Sequence, residues 1–164
     1  MRTMFDSVDP TRLPADAEMV AGYVDGAWPT YTGLLGRYPV VVSIATSSSH
    51  PADVLDVESG DATTAAAPYW VTAMRAAGRA RPTVYCNAST WPAVRAAFTA
   101  VGVAEPDYWV AHYDNDPAVP PGAVAKQYRS DTAANLDYSS VADDTWHPSP
   151  APDDQEAILV GLLI

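Results

Sequence analysis

A single cysteine, Cys86, among 164 residues excludes an internal disulfide framework and a cysteine-built zinc centre. Histidine is nearly as scarce. His50, His112 and His147 are too far apart in sequence for a histidine-built metal cluster. Cations are few: 9 Lys and Arg stand against 20 Asp and Glu, a formal net charge of −11. A chain this acidic is a poor partner for nucleic-acid phosphates or anionic lipid. Long apolar runs are missing too. The longest, 40–42 and 157–164, fall well short of the roughly 20 residues of a spanning helix, so no transmembrane segment is expected. The first residues carry Arg2, Asp6, Asp9 and Arg12 without the apolar centre of a signal peptide. The expectation is a protein made in the cytoplasm that acts elsewhere only after release.

What the chain does contain is enough apolar residue, 48%, to bury a core, at a length that suits one domain. Eight short β-type segments recur, at 3–6, 19–24, 40–45, 53–57, 82–86, 108–112, 123–128 and 136–139. Most are continuous apolar runs closed by a polar residue, the pattern of parallel strands buried on both faces. Two helices separate them. One, over 64–77, places Trp70, Met74 and Ala77 at helical spacing and is stopped by Gly78. The other opens with Thr90 as N-cap before Trp91-Pro92, continues through Val94, Phe98 and Val101, and ends at Gly102. Leu34-Leu35 marks a short turn. The expected fold class is α/β: a compressed, irregular (β/α)8 TIM-like barrel over 1–145, with several helices reduced to turns. An open α/β sheet of fewer strands is the competing arrangement. A Pro- and Asp-rich linker is read at 146–155 and an apolar tail at 156–164, with self-association or attachment to a larger assembly, such as a virion, through the tail.

The sharpest chemical feature is Val54-Leu55-Asp56-Val57-Glu58. Residues i and i+2 on a strand share a face, with Cα atoms about 6.6 Å apart, and this pair falls at a strand's C-terminal end, where barrel active sites form. Paired carboxylates, one protonated and one ionised, suit glycosidic bond cleavage; an acidic strand end facing solvent is the plainer alternative. Asp6 and Asp137 add acids at two further strand ends, though Asp commonly serves as a cap or turn residue there. Tyr23, Tyr85, Trp109 and Tyr113 gather at strand ends as candidate sugar-stacking rings, or as core. Asn87 and Gln127 close apolar runs as candidate ligand-orienting amides, or as local backbone partners.

In order along the chain, Phe5-Asp6, Leu55-Asp56-Val57-Glu58, Val84-Tyr85-Cys86-Asn87, Tyr108-Trp109-Val110-Ala111-His112-Tyr113, Lys126-Gln127-Tyr128 and Leu136-Asp137 resemble the strand motifs of family 25 glycoside hydrolases, the Chalaropsis-type lysozymes, and the related glycoside-hydrolase-like domains of phages and bacteria. The resemblance implies a muramidase-like peptidoglycan hydrolase. In it Glu58 is the general acid, Asp56 stays ionised and steadies the substrate's N-acetyl group or the oxocarbenium-like state, and Asp6 and Asp137 flank them. It also implies a lysozyme of the endolysin kind, released to reach the cell wall, that needs neither a metal nor an organic cofactor. A catalytically inactive glycan-binding or structural virion protein on the same fold is the alternative.

Overall fold

Side chains along each strand alternate between inward and outward positions, and the inward set lies inside a sheet closed on itself. The computed structural model describes residues 1–147. Its strands are β1 (Arg2–Asp6), β2 (Met19–Tyr23), β3 (Val40–Ala45), β4 (Val54–Asp56), β5 (Thr83–Asn87), β6 (Asp107–Ala111), β7 (Ala125–Asp131) and β8 (Leu136–Val141). They form a closed barrel in sequence order, so the open-sheet alternative falls. Among the described residues a short 3₁₀ turn (Pro10–Arg12) and three α-helices interrupt them: a one-turn α1 (Tyr31–Leu34), α2 (Ala67–Ala76) and α3 (Trp91–Val101). None of the described helices is long and apolar enough to cross a membrane.

One expectation needs correcting. β1 to β7 are parallel, but β8 runs antiparallel to both β7 and β1. The cause is the connection. Only residues 132–135 lie between β7 and β8, which is enough for a hairpin and far too little for a parallel crossover. Asn135 takes a left-handed φ of 52° to make this turn. The start of β8 therefore lies at the same end of the barrel as the C-terminal ends of the other strands. Asp137 reaches that rim because its strand is reversed, opposite Asp6 in the ladder.

Thr90 also departs from its expected part. It sits at the start of α3, but in helical conformation and without a capping side-chain bond. Its hydroxyl turns back to Asn87, whose side-chain oxygen accepts from the Thr90 N–H at 3.0 Å. Gly102 ends α3 as expected, at a left-handed φ of 67° that a residue with a Cβ adopts only with strain.

Two cores result. Outward residues of β4, β5 and β6, among them Leu55, Val84, Cys86 and Val110, pack under Trp70, Val71, Val94 and Phe98 of α2 and α3. Burial pushes the Cys86 thiol up to about 12, so it is a small buried hydrophobe and not a nucleophile. Inward residues Met4, Met19, Val42, Val54, Trp109 and Val141 fill the barrel. Its lower end is plugged by Trp146, fully buried, whose ring N–H donates to the Thr83 hydroxyl at 2.9 Å. Trp146, assigned from sequence to the start of the linker, is thus part of the barrel core. The rest of the linker beyond His147, and the tail at 156–164, lie outside the described residues.

Candidate active site

The same alternation that points Met4, Ala21, Val54, Thr83 and Ala125 inward points Asp6, Tyr23, Asp56, Tyr85 and Gln127 inward one step nearer the rim. Ala21 and Ala111 leave space among these larger side chains. β4 ends at Asp56, and Glu58 lies just beyond it. The Val57 N–H donates to the Tyr85 carbonyl (2.9 Å), which holds this exit against β5. A cleft of about 310 Å³ opens beside the pair, with Tyr23, Asp25, Trp28, Asp56, Glu58 and Asp61 in its walls.

The electrostatics confirm how closely the acids converge. The Tyr23 hydroxyl is pushed well up, first by burial and then by Asp6, Asp56, Asp137 and Glu58. Tyr85 is raised by burial and by Glu58, and Tyr113 by burial with Asp137, Glu58 and Asp6. The two tyrosine hydroxyls face each other at 3.4 Å. Burial, and then Asp137 beside it, hold Asp6 well above the usual carboxylate range. Asp137 is also raised by burial, but hydrogen bonds from Ser130 and Gln127 favour its ionised form. Asp6 is therefore the member of the pair that keeps the proton.

Asp56 overturns the expected division between the strand carboxylates. It was expected to stay ionised, yet burial, followed by Glu58, Asp61, Asp6 and Asp25, pushes it up to about 8. It is 4% exposed and its Oδ1 has no hydrogen-bond partner. Glu58 is raised as well, by burial and then by Asp61 and Asp137, from a more open position past the end of the strand. At neutral pH Asp56 is mainly a neutral carboxyl and can donate a hydrogen bond into the cleft.

This has a consequence for stability. A carboxyl near 3.9 in the unfolded chain and about 8 in the fold binds more protons when folded, so its contribution is complete below about pH 4 and is lost as pH rises through 8. Asp6, Glu58 and Asp61 are shifted in the same direction. The melting temperature is expected to fall between pH 5 and about pH 9. Asp56→Asn should flatten that fall, as followed by thermal unfolding in a pH series; an unchanged slope in the variant would contradict the assignment.

Two residues chosen from sequence do not join the others. Trp109 lies one layer down, 1% exposed, with its ring N–H on the Ser139 hydroxyl (3.0 Å) and its face edge-on to Tyr85 at 4.9 Å. It supports Tyr85 and offers no face to a ligand. Asn87 spends its side-chain oxygen on Ser89 and Thr90. Conversely, Asp25, Trp28 and Asp61 were not singled out. Asp25 ends an apolar strand just as Asp6 does, a signal the sequence offered. Its carboxylate accepts from the backbone N–H groups of Thr46 (2.7 Å) and Ser47 (2.9 Å) and meets His50 Nδ1 at 3.1 Å, tying the exits of β2 and β3 together. Asp61 is returned to the strand end by a tight turn: its N–H donates to the Glu58 carbonyl (3.1 Å), and the Ala62 N–H to the Asp56 carbonyl (3.2 Å). Trp28, 58% exposed, is an isolated loop aromatic that no periodicity marks.

No protein-family profile matches the chain, and no curated protein sequence matches it. Among solved structures it is similar to the muramidase from Acremonium alcalophilum, with a TM-score of 0.54 and 14% identity over 98% of this chain and 100% of that one. At that identity the likeness is one of fold: a closed, mixed eight-stranded α/β barrel with few helices, of the muramidase type.

Proposed function

We propose that the chain is a glycoside hydrolase that cleaves peptidoglycan, a muramidase related to the Chalaropsis-type lysozymes. The observation that carries this reading is the pairing of Asp56 with Glu58 in the wall of an open cleft at the C-terminal rim, backed by Asp6 and Asp137. Glu58 is the general acid: it is raised by its surroundings and is the more accessible of the two strand carboxylates. It gives its proton to the glycosidic oxygen as that bond breaks. Asp56, held neutral, donates a hydrogen bond to the N-acetyl carbonyl of the sugar beside the bond. Asp137, ionised beside the protonated Asp6, supplies negative charge close to the developing oxocarbenium ion, and water completes the hydrolysis by adding to the anomeric carbon as its proton returns to Glu58. Tyr23 and Tyr85 border the acids, and Trp28 offers an exposed ring for a sugar face.

The direct test is incubation with purified Gram-positive walls, followed by reduction of the new ends and mass analysis. Reduced N-acetylmuramic acid is the expected product. New ends on N-acetylglucosamine would place the cut at the other bond. Binding to walls without new reducing ends would favour the glycan-binding alternative, which the same cleft of acids and an exposed ring would serve.

Trp28→Ala gives a second test. The ring is exposed, so its loss should leave the melting temperature within a degree or two, yet weaken glycan binding by about three- to tenfold. Calorimetry with wall oligosaccharides would measure this. Unchanged affinity would remove Trp28 from the binding surface.

A further inference from the structure

We propose that Asp56, Glu58 and Asp61 bind a single Ca²⁺ ion, and that the ion inhibits the chain by occupying the carboxylates that cleavage needs. The binding itself is independent of the glycosidase reading; only the inhibition rests on it.

Geometry carries the proposal. One oxygen from each of the three carboxylates can be chosen so that all lie within 4.8 Å of one another. Two oxygens on one Ca²⁺, each bonded at about 2.4 Å, are at most about 4.8 Å apart, a condition that these three oxygens meet pair by pair. A second observation points into the same place. Asp56 is 4% exposed, lines the cleft, and leaves its buried Oδ1 without a partner. Buried polar atoms are normally satisfied, and an orphaned oxygen on one of three gathered acids calls for a donor or a cation. The protein supplies no cation there: no Lys, Arg or His lines the cleft among the described residues.

The neighbouring acid, Asp25, is already engaged by Thr46, Ser47 and His50, so the three-residue group is distinct from it. The turn that returns Asp61 is held by two backbone hydrogen bonds and passes through Gly60 at a φ of 96°. The third ligand is thus positioned before any ion arrives. All donors are hard oxygens, which suits Ca²⁺ or Mg²⁺ over softer metals. The open cleft leaves room for water to complete a flexible shell of six to eight oxygens, which Ca²⁺ tolerates and Mg²⁺ does not. Asp56 gives up its proton to the solvent as it takes the ion, and three carboxylates without a dedicated loop correspond to a dissociation constant of about 10⁻⁴–10⁻³ M.

The test uses Tb³⁺, a luminescent stand-in for Ca²⁺, on the full chain. Tyr23 and Trp28 line the same cleft and should sensitise its emission. Saturable emission is expected, displaced by millimolar Ca²⁺. Asp61→Asn should weaken binding by about tenfold or more, whereas Asp16→Asn, at an exposed acid outside the cleft, should not change it. Absent emission, or equal loss in the two variants, would overturn the site. Circular dichroism checks that Asp61→Asn is folded; should it not be, Glu58→Gln takes its place in the same titration. On walls that the chain digests, Ca²⁺ should slow release of reducing ends with the same midpoint as displacement of Tb³⁺. Undiminished digestion with the site saturated would overturn the inhibition. A chain that digests no wall but binds Tb³⁺ at these residues would uphold the ion site and refute the muramidase reading.

Discussion

Glu58→Gln is expected to slow wall cleavage by about 10²- to 10⁴-fold, the usual contribution of a positioned general acid. The substitution keeps the shape and the polar surface but removes the proton that must reach the leaving oxygen. Glu58 is only half-buried and lies past the end of β4, so the fold should be retained or slightly stabilised above neutral pH, where its charge faces Asp61 and Asp137. Reducing-end release at fixed enzyme concentration measures the loss. Asp56→Asn provides the comparison. If Asp56 acts as a neutral donor, an amide N–H can replace its O–H, and the loss should be well below that of Glu58→Gln. Equal losses would mean that Asp56 works as a carboxylate, and a near-normal rate in Glu58→Gln would remove it from the chemistry.

Trp146→Ala should cost about 3–5 kcal/mol of stability, the range for a large aromatic lost from a core. The ring closes the lower mouth of the barrel among Met4, Met19, Val40 and Val141, and its loss opens a cavity that four strands cannot readily collapse around. It also takes away the donor to the Thr83 hydroxyl, which is fully buried and keeps only its own donation to the Arg81 carbonyl (3.2 Å). Arg2 strengthens the closure from the other terminus by donating to the Trp146 and His147 carbonyls. The midpoint of urea unfolding gives the measurement. A loss under about 1 kcal/mol would mean that the barrel does not depend on this plug.

The strands were legible because buried parallel strands are apolar on both faces and end abruptly in polar residues. The reversal of β8 was not. β7 continues through Arg129, Ser130 and Asp131, which carry polar side chains beyond the barrel rim, so the sequence suggested a longer gap and hid the hairpin. For the site, parity was enough to bring Asp6, Tyr23, Asp56, Tyr85 and Gln127 to one end. Depth was not readable: Trp109 and Tyr113 belong to one motif, but one is sealed in the core and the other is 56% exposed. The proton distribution was out of reach as well. It depends on how far β4 sinks Asp56 among acids from Asp6, Asp25 and Asp61, which only the closed barrel brings together.

The ladder between β1 and β8 sets an order on biosynthesis. Asp6 is made well before its ladder partner Asp137, which lies in the last of the described strands. Until then β1 and β7 are open edges with unpaired N–H and C=O groups, able to pair with other chains. The seam also joins the two described strands that lie furthest apart in sequence, so the entropy of closing the longest loop falls on the closure of the barrel. A nascent chain halted before β8 would hold most of its core and half of the Asp6–Asp137 pair, yet present two sticky edges to the cell.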